Sequence, residues 1–506
     1  MGQRELARLA GSVLGVGLRG PALSPEESAE LAALSPGALV LFARNVSSLE
    51  ATRTLIARAR EAIGGEAPAL GCVDQEGGRV VRLRFAGEAM PSMLALGATG
   101  DERLAERAGR RLANELRAVG ANVDFAPVLD LALEPRNTVV GTRSLGGDPE
   151  LVGRLGTALV RGLQTGGVAA TAKHFPGHGA TVLDSHVALP VVDAAAATLR
   201  ARELVPFAAA ITAGVRAVMT AHVLVPALDT ERPATLSHAV LTGLLREELG
   251  FDGVCFTDCL QMGAIAGGAG TAAGAVGALS AGADVALVSH DLALARVARD
   301  AIVAAVTGGS LPIERLEEAS ARVAELRAWA AAAATPVDFE ADGIAGEVAA
   351  AAIDVLRGSA RLELDRPVTI VSFEGDPSDG IAESDARRPS LSLALRRRRV
   401  RSELLRVALE PDDAMIEMLA EVARAQGERQ FVLIARRPRH HPAQRRALDA
   451  LLGVAPHAIA IAALEPFDVA ALEHAENVVC AYGDEPANIE ALADLLVGAK
   501  READQE

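Results

Sequence analysis

The chain has 506 residues, half of them hydrophobic, with four cysteines and a formal net charge of −16 at neutral pH. This length favours two domains, and the acidic balance argues against nucleic-acid binding, which needs concentrated positive charge. No apolar run approaches the roughly 20 residues that span a bilayer, so the sequence predicts no transmembrane helix and no membrane partner.

The N-terminus and the cysteines bear on location. Residues 1–6 include an acidic residue and reach no long apolar core or cleavage site, so we expect no secretory signal and predict a cytoplasmic protein. The four cysteines are too few and too scattered for a disulfide framework, and we expect reduced, mostly buried thiols. The sequence leaves open whether the protein is a monomer or a homodimer.

Short apolar runs typical of buried strands alternate with longer helical patterns through the first part of the chain. The predicted strands are Ala38–Phe42, Leu70–Val73, Val123–Ala126, Ala169–Ala172, Ala217–Thr220, Val254–Thr257 and Asp284–Val288. The predicted helices include Asp101–Val119, Glu150–Thr165, Arg200–Ala213 and Ser237–Leu249. Such alternation is typical of parallel βα units. We therefore predict an α/β fold with an N-terminal (β/α)8-type TIM barrel in which one strand is still unplaced.

A doubly wound open sheet is the competing fold. The barrel is favoured because polar residues follow nearly every predicted strand, and in a barrel all those strand ends meet on one face. These residues are Arg44, Asp74, Asp130, Lys173, His222 and Asp258.

The second part of the chain predicts a smaller α/β sandwich domain. A long alanine-rich helix over Glu314–Ala334 is followed by a breaker segment, Thr335–Phe339. We predict a catalytic barrel over 1–335, a linker over 336–350 and the C-terminal domain over 351–500. Its predicted strands lie near Val368–Phe373, Phe431–Ala435, Ala458–Ala462 and Val478–Tyr482.

The segment from Lys173 to His186 is the richest in chemistry, with one lysine and three histidines. Pro176 prevents a regular helix, so this is a loop leaving a strand end, where ligands usually bind. His174 and His178 have the spacing of helical zinc ligands, but the Pro-Gly between them removes the shared helical face. We therefore predict no metal site and no cofactor.

Several motifs resemble those of the family 3 glycoside hydrolases, and within them the bacterial β-N-acetylglucosaminidases. The resemblance covers most of residues 10–300 and includes several motifs in the family's order. They are Leu39–Asn45, Val73–Val80, Phe125–Asp130, Lys173–Gly179 with Asp184–His186, and Phe256–Asp258.

The resemblance implies a retaining hydrolase that releases terminal β-N-acetylglucosamine from a small carbohydrate substrate. Retention needs one group to attack the anomeric carbon and another to protonate the departing oxygen. The resemblance assigns the attack to Asp258 and the proton to His186, held by Asp184. An imidazole titrates near neutrality and therefore suits the second role.

The remaining polar residues are expected to hold the sugar. The resemblance implies that Asp74, Arg82, Arg143, Lys173 and His174 contact it. His222 is taken as a further binding residue, although a structural role is equally open. Relatives often carry an acidic residue directly after the nucleophile, where this chain has Cys259. A contact made there in relatives is therefore in doubt.

Two other functions stay open at this point. A phosphorylase is one, because an imidazole acid repels incoming phosphate less than a carboxylate does. The other is a non-catalytic protein that senses an amino sugar or a muropeptide. Expected cytoplasmic placement together with the resemblance favours a role in cell-wall recycling.

Overall fold

The computed structural model of the protein describes residues 2–65, 67–84, 89–182, 189–333, 342–375 and 390–499. Eight parallel strands close into a barrel and follow one another around it in chain order, with a small antiparallel hairpin, β4–β5, after the third. The barrel strands are β1 (Leu14–Gly17), β2 (Ala38–Leu41), β3 (Leu70–Val73), β6 (Val123–Asp124), β7 (Ala169–Phe175), β8 (Ala217–Thr220), β9 (Val254–Cys259) and β10 (Val285–Val288). The hairpin strands are β4 (Gln75–Gly77) and β5 (Val80–Val81).

Helices surround this barrel. They are α1 (Gln3–Ser12), α2 (Pro25–Leu34), α3 (Leu49–Ile63), α4 (Met93–Thr99), α5 (Glu102–Val119), α6 (Pro149–Thr165), α7 (Ala196–Ala201), α8 (Leu204–Thr212), α9 (Gly263–Ala266), α10 (Thr271–Ala281), α11 (Leu292–Thr307) and α12 (Ile313–Ala332). Local sequence sets their ends. The carboxylate of Asp101 accepts hydrogen bonds from the first turn of α5, and the helix ends at Gly120, whose left-handed backbone suits glycine.

Strand β1 supplies the barrel strand that the sequence analysis does not place. Its residues Gly15 and Gly17 weaken the strand signal, because glycine has low β propensity. Packing nevertheless demands glycine at both. An added Cβ at Gly17 would lie 1.8 Å from the carbonyl oxygen of Ser289, and one at Gly15 would lie 2.3 Å from the Leu287 side chain.

The prediction of a single helix over Arg200–Ala213 is wrong in one respect, because the structure has two helices there, α7 and α8. Pro206 explains the break, because proline has no N–H to continue a helical ladder and is tolerated only in a first turn, where α8 places it. The helix predicted over Ser237–Leu249 is present as a π-helix over Ala239–Glu248.

A six-stranded sheet forms the second α/β unit, in the order β11-β16-β15-β14-β12-β13, with β11 antiparallel to its neighbour. Its strands are β11 (Asp354–Arg357), β12 (Val368–Glu374), β13 (Ser402–Ala408), β14 (Gln430–Ala435), β15 (Ile459–Ala462) and β16 (Asn477–Cys480). Its helices are α13 (Ile344–Ala352), α14 (Leu391–Arg397), α15 (Asp413–Ala425), α16 (Pro442–Val454) and α17 (Pro486–Val497). The predicted fold class is confirmed. The domain limits remain a prediction, and α13 begins inside the range expected to be a linker.

Helix α13 joins the two units. It packs on α4 and α5 of the barrel and on α17 of the second unit. Arg107 of α5 makes a two-pronged ion pair with Glu347, at 2.6 and 2.8 Å. Buried Arg111 reaches Asp342 just before the helix, at 2.9 Å. The second unit is thus fixed to the barrel through apolar packing and paired charges.

All four cysteines are buried and free of disulfide bonds. Within the parts of the chain that the structure describes, none of the helices combines the length and apolar character needed to cross a membrane.

Asp284 stabilises the end of the barrel opposite the cavity described below. Its fully buried carboxylate accepts hydrogen bonds from Arg246 at 2.5 Å, from Arg315 at 2.6 Å and from the backbone N–H of Cys255 at 2.9 Å. We expect Asp284→Ala to lower the free energy of unfolding by about 3–5 kcal/mol, because it leaves two mostly buried arginines without this counter-charge. Urea denaturation measures this loss.

The control is Asp300→Ala, which removes a mostly exposed carboxylate paired with Arg299. We expect it to cost less than about 1 kcal/mol. Equal losses in the two variants would contradict a special role for Asp284.

Candidate active site

A cavity of about 220 Å³ opens at the carboxyl ends of the barrel strands. Asp74 follows β3, Lys173 and His174 lie near the end of β7, and Asp258 lies near the end of β9. Nineteen of the residues that the structure describes line the cavity: Val40, Phe42, Asp74, Glu76, Val80, Arg82, Phe125, Val139, Arg143, Lys173, His174, His178, Met219, Asp258, Cys259, Met262, Leu287, Ser289 and His290. The structure thereby brings together Asp74, Arg82, Arg143, Lys173, His174 and Asp258, which the sequence analysis named as site residues.

Four charged side chains form an ion cluster on one wall of the cavity: Asp74, Glu76, Arg143 and Lys173. The Lys173 ammonium lies 2.7 Å from an Asp74 oxygen and 2.6 Å from a Glu76 oxygen. Arg143 donates two hydrogen bonds to Glu76, at 2.8 and 2.7 Å. Each cation therefore faces a carboxylate at hydrogen-bond distance.

Burial and charge act against each other in this ion cluster. Burial alone would raise the pKa of Glu76, but Arg143 and Lys173 hold that pKa far below its ordinary value. Burial alone would also lower the pKa of Lys173, but Asp74 and Glu76 raise it above the usual lysine value. The mutual attraction favours the charged forms of Glu76, Lys173 and Arg143, so the wall is polar and its cations are paired with carboxylates.

Two histidines are fixed by one buried carboxylate. Asp130 Oδ2 lies 2.6 Å from His174 Nδ1, and Asp130 Oδ1 accepts a hydrogen bond from the backbone N–H of His178 at 2.6 Å. Burial would raise the pKa of Asp130, yet the imidazole of His174 and the backbone N–H of His178 lower it. The His174 ring, which lines the cavity, is therefore held in one orientation through Nδ1.

Asp258 occupies another wall. Its side chain is partly exposed, and Oδ1 accepts a hydrogen bond from the backbone N–H of Cys259 at 2.7 Å. Burial raises the pKa of the Cys259 thiol, which accepts a hydrogen bond from Ser289 Oγ at 3.1 Å. Position 259 is thus occupied by a neutral thiol that lines the cavity next to the carboxylate.

Arg82 is positioned through the hairpin β4–β5. The Gln75 side-chain oxygen accepts hydrogen bonds from the backbone N–H groups of Arg82 and Leu83, both at 3.0 Å. The amide nitrogen of Gln75 in turn donates to buried Glu115 at 2.6 Å. This polar chain fixes the backbone from which Arg82 reaches the cavity.

The structure places His222 differently from the other predicted binding residues. It is buried, and it is not among the described residues that line the cavity. Its Nδ1 lies 2.7 Å from Thr235 Oγ1, and its Nε2 lies 3.0 Å from the carbonyl oxygen of Cys259. Both ring nitrogens are thus engaged by the protein, which favours the structural alternative for this residue.

The predicted acid/base pair, Asp184 and His186, lies outside the described residues. The chain enters this segment at Val182 and leaves it at Leu189.

Glu76 and His178 line the cavity but were not assigned roles in the sequence analysis. Glu76 lies two residues after Asp74, so the alternation of the hairpin strand could have indicated it. The sequence indicates His178 only through its zinc-like spacing from His174. Its Nδ1 lies 2.8 Å from Thr181 Oγ1. Among the residues with described positions, no group of three or more histidine, cysteine or acidic side chains is arranged to hold a metal ion.

A (β/α)8 barrel whose strand ends gather carboxylates and basic groups around one cavity defines the class as a barrel enzyme. The family model described as "Glycosyl hydrolase family 3 N terminal domain" matches residues 6–326. The chain belongs to glycosyl hydrolase family 3, and the resemblance seen in the sequence motifs is confirmed.

Individual relatives agree with this assignment. The chain is 40% identical over 351 residues to a protein of Chromobacterium violaceum named beta-hexosaminidase, covering 68% of this chain and 96% of that protein. It is 45% identical over 268 residues to a beta-hexosaminidase of Pseudomonas aeruginosa, covering 53% and 79%. A solved family 3 beta-N-acetylglucosaminidase from Paenibacillus sp. str. FPU-7 superposes with a TM-score of 0.91 at 36% identity, over 98% of this chain and 97% of that one.

The His178 environment predicts a pH dependence of stability. Burial lowers the pKa of His178, and the Asp130 carboxylate offsets only part of this effect. At this imidazole, the unfolded chain therefore binds more protons than the native chain at pH values between the native pKa and about 6.5. We expect the free energy of unfolding to fall as pH drops below about 6.5, by at most about 1.4 kcal/mol per pH unit from this group.

Urea denaturation from pH 5 to pH 8 measures this slope, and His178→Gln should reduce it. The matched control is His474→Gln, in which the exposed imidazole of the second unit is removed. A His178→Gln variant with the full wild-type slope would show that the neutral imidazole is not responsible.

Proposed function

We propose that the protein is a retaining β-N-acetylhexosaminidase that releases terminal, non-reducing β-N-acetylglucosamine. One observation carries the proposal: Asp258 lines the same cavity as the ion cluster, so a carboxylate and a set of sugar-binding groups face one space. Membership of the family supports glycoside hydrolysis. The names of the relatives in Chromobacterium, Pseudomonas and Paenibacillus support an amino sugar as the group released.

The ion cluster suits the binding of a neutral sugar. Because Glu76 and Asp74 already balance Arg143 and Lys173, the wall offers fixed donors and acceptors rather than excess charge. In the proposal, Asp74 accepts hydrogen bonds from sugar hydroxyl groups. Arg82, Arg143, Lys173 and His174 donate to the sugar oxygens.

Cleavage then proceeds in two steps. A carboxylate oxygen of Asp258 attacks the anomeric carbon, and the bond to the aglycone oxygen breaks as that oxygen takes a proton from His186. Water next attacks the glycosyl-aspartate, gives its proton to the His186 imidazole and releases the sugar with retained configuration. Asp184 is proposed to orient the His186 ring.

Chain length permits His186 to serve this cavity. It lies four residues after Val182, and an extended chain spans about 14 Å over four residues. Thr181, one residue before Val182, contacts His178 of the cavity wall at 2.8 Å. Thr181 therefore lies beside the cavity, and the four-residue spacing is sufficient for His186 to serve as proton donor in the proposal.

His222 is proposed to act as a positioning residue. Its bond to the carbonyl oxygen of Cys259 fixes the backbone directly after Asp258. It supports the orientation of the attacking carboxylate without touching the sugar.

A muropeptide fragment of the bacterial cell wall is the proposed natural substrate. The relatives named above are bacterial, and the bacterial wall polymer contains β-linked N-acetylglucosamine. Comparing release of N-acetylglucosamine from an N-acetylglucosaminyl anhydromuramyl peptide and from N,N′-diacetylchitobiose tests this part of the proposal. Faster cleavage of N,N′-diacetylchitobiose would contradict it.

Asp258→Ala should reduce kcat/KM for an aryl β-N-acetylglucosaminide by at least about a thousandfold, because the attacking group is lost. Release of the aryl group measures the rate, with the aryl β-glucoside as a poor comparison substrate. The matched control is Asp252→Ala, an exposed aspartate before the opposite end of β9. Substantial activity in Asp258→Ala would support attack by the acetamido oxygen instead.

His186→Ala should lower kcat/KM by about 10²–10⁴-fold for substrates with poor leaving groups and much less for activated aryl groups. The reason is that an activated leaving group needs no proton. His238→Ala, which removes an exposed imidazole, is the control. Equal losses for all leaving groups would contradict a proton-donating role.

Running the wild-type reaction in phosphate and in a neutral buffer identifies the acceptor. The proposal expects free N-acetylglucosamine in both. A glycosyl phosphate product would establish phosphorolysis, and no turnover of any glycoside would favour a sensing protein.

A further inference from the structure

The turn that carries Arg143 lies between the cavity and the second α/β unit. Arg143 ends a short 3₁₀-helix, Gly141–Arg143, in the connection from β6 to α6. On the cavity side, Asn137 of this connection donates a hydrogen bond to the carbonyl oxygen of His178 at 3.1 Å, and Ser144 donates to that of Asp130 at 2.6 Å. The turn is thus part of the wall that holds the histidines and the ion cluster.

Two residues of the second unit, Glu465 and Arg437, lie beside Gly141 on the other side of this turn. With Arg439 and Asp468, to which they are bonded, they form what we call the second-domain clamp. Arg439 Nε donates to the carbonyl oxygen of Pro135 at 2.8 Å, which ties the clamp directly to the barrel connection.

Ion pairs hold the clamp together internally. Glu465 forms ion pairs with Arg439 at 2.5 Å and with Arg437 at 3.2 Å. Asp468 pairs with Arg439 and accepts a hydrogen bond from the backbone N–H of Arg437 at 3.1 Å. Both carboxylates are almost fully buried, so the clamp is a fixed part of the interface and not a mobile surface patch.

Gly141 shows how closely the clamp approaches. A Cβ added there would lie 3.1 Å from Glu465 Oε1 and 3.6 Å from Arg437 Nη2. Glu465 therefore packs directly on the turn that ends, two residues later, at Arg143. Arg143 in turn donates two hydrogen bonds to Glu76 in the cavity wall.

We propose that the second-domain clamp positions Arg143 for sugar binding, so that the second unit sets substrate affinity although none of its described residues lines the cavity. This inference rests on the proposed function, in which Arg143 contacts the sugar. The clamp residues are positioning residues, since they act through the turn and not on the substrate.

The physical consequence is specific to binding. Arg143 holds non-reacting parts of the sugar, so its displacement weakens ground state and transition state alike, which raises KM and leaves kcat nearly unchanged. Loss of global stability would have a different effect. It would lower the active fraction, and therefore the apparent kcat, at unchanged KM.

The test measures kcat and KM for an aryl β-N-acetylglucosaminide in the full-length chain. We expect Arg439→Ala to raise KM about tenfold with kcat changed less than about threefold, a coupling typical of positioning networks. Arg439→Lys keeps a donor and a charge, and should recover part of the affinity.

Gly141→Ala changes the same contact from the barrel side. It tests the proposal even if the Arg439→Ala variant misfolds. Its methyl group would lie 3.1 Å from Glu465 Oε1 at a backbone φ of 42°, which favours glycine, so the turn should shift against the clamp and KM should rise in the same way. Arg398→Ala is the matched control. It removes an arginine that pairs with Glu490 and Asp494 inside the second unit, remote from the turn, and should leave KM unchanged even if the melting temperature falls.

The outcomes separate the two proposals. If the wild type does not hydrolyse the acetamido glycoside, the proposed function fails before the clamp is tested. If the wild type is active and folded Arg439→Ala and Gly141→Ala keep the wild-type KM, the clamp proposal is overturned and the proposed function stands.

Discussion

The buried ion pairs of Glu76 with Arg143 and Lys173 are the constraint on which the site depends. Removing three charges from water is costly unless each finds a partner with good geometry. The three residues come from the hairpin after β3, the connection after β6 and the end of β7. Only a closed barrel with the correct register brings these segments within hydrogen-bond distance. These ion pairs therefore depend on the closed barrel and its register.

This ion cluster gives the cavity its chemical character. Its cations are paired with carboxylates, so this wall of the cavity presents oriented donors and acceptors. Asp130 extends the arrangement by fixing the chain around His174 and His178. Asp258 differs because its side chain remains partly exposed, next to a neutral thiol. In the proposed function, this carboxylate faces the bound sugar and attacks its anomeric carbon.

The second unit influences the site through the barrel loops. Its clamp contacts the connection that carries Arg143, and its helix α17 and the barrel helices α4 and α5 share α13. Two regions of contact at separate places restrict rotation of one unit against the other. The connection after β6 is longer and more irregular than the other strand-to-helix links that the structure describes, and it is stabilised from both sides.

The sequence by itself determined the fold class, seven of the eight barrel strands and six of the residues that line the cavity. Branched apolar runs and the polar residues after them are local signals, and parallel topology alone places those residues on one face. Tertiary structure alone decided the rest. Strand β1 depends on glycines that only the close approach of Leu287 and Ser289 requires. His222 does not line the cavity, and its ring nitrogens bond to Thr235 and Cys259. The pairing of Glu76 with Arg143, 67 residues apart, follows from barrel closure, which a local sequence pattern does not encode.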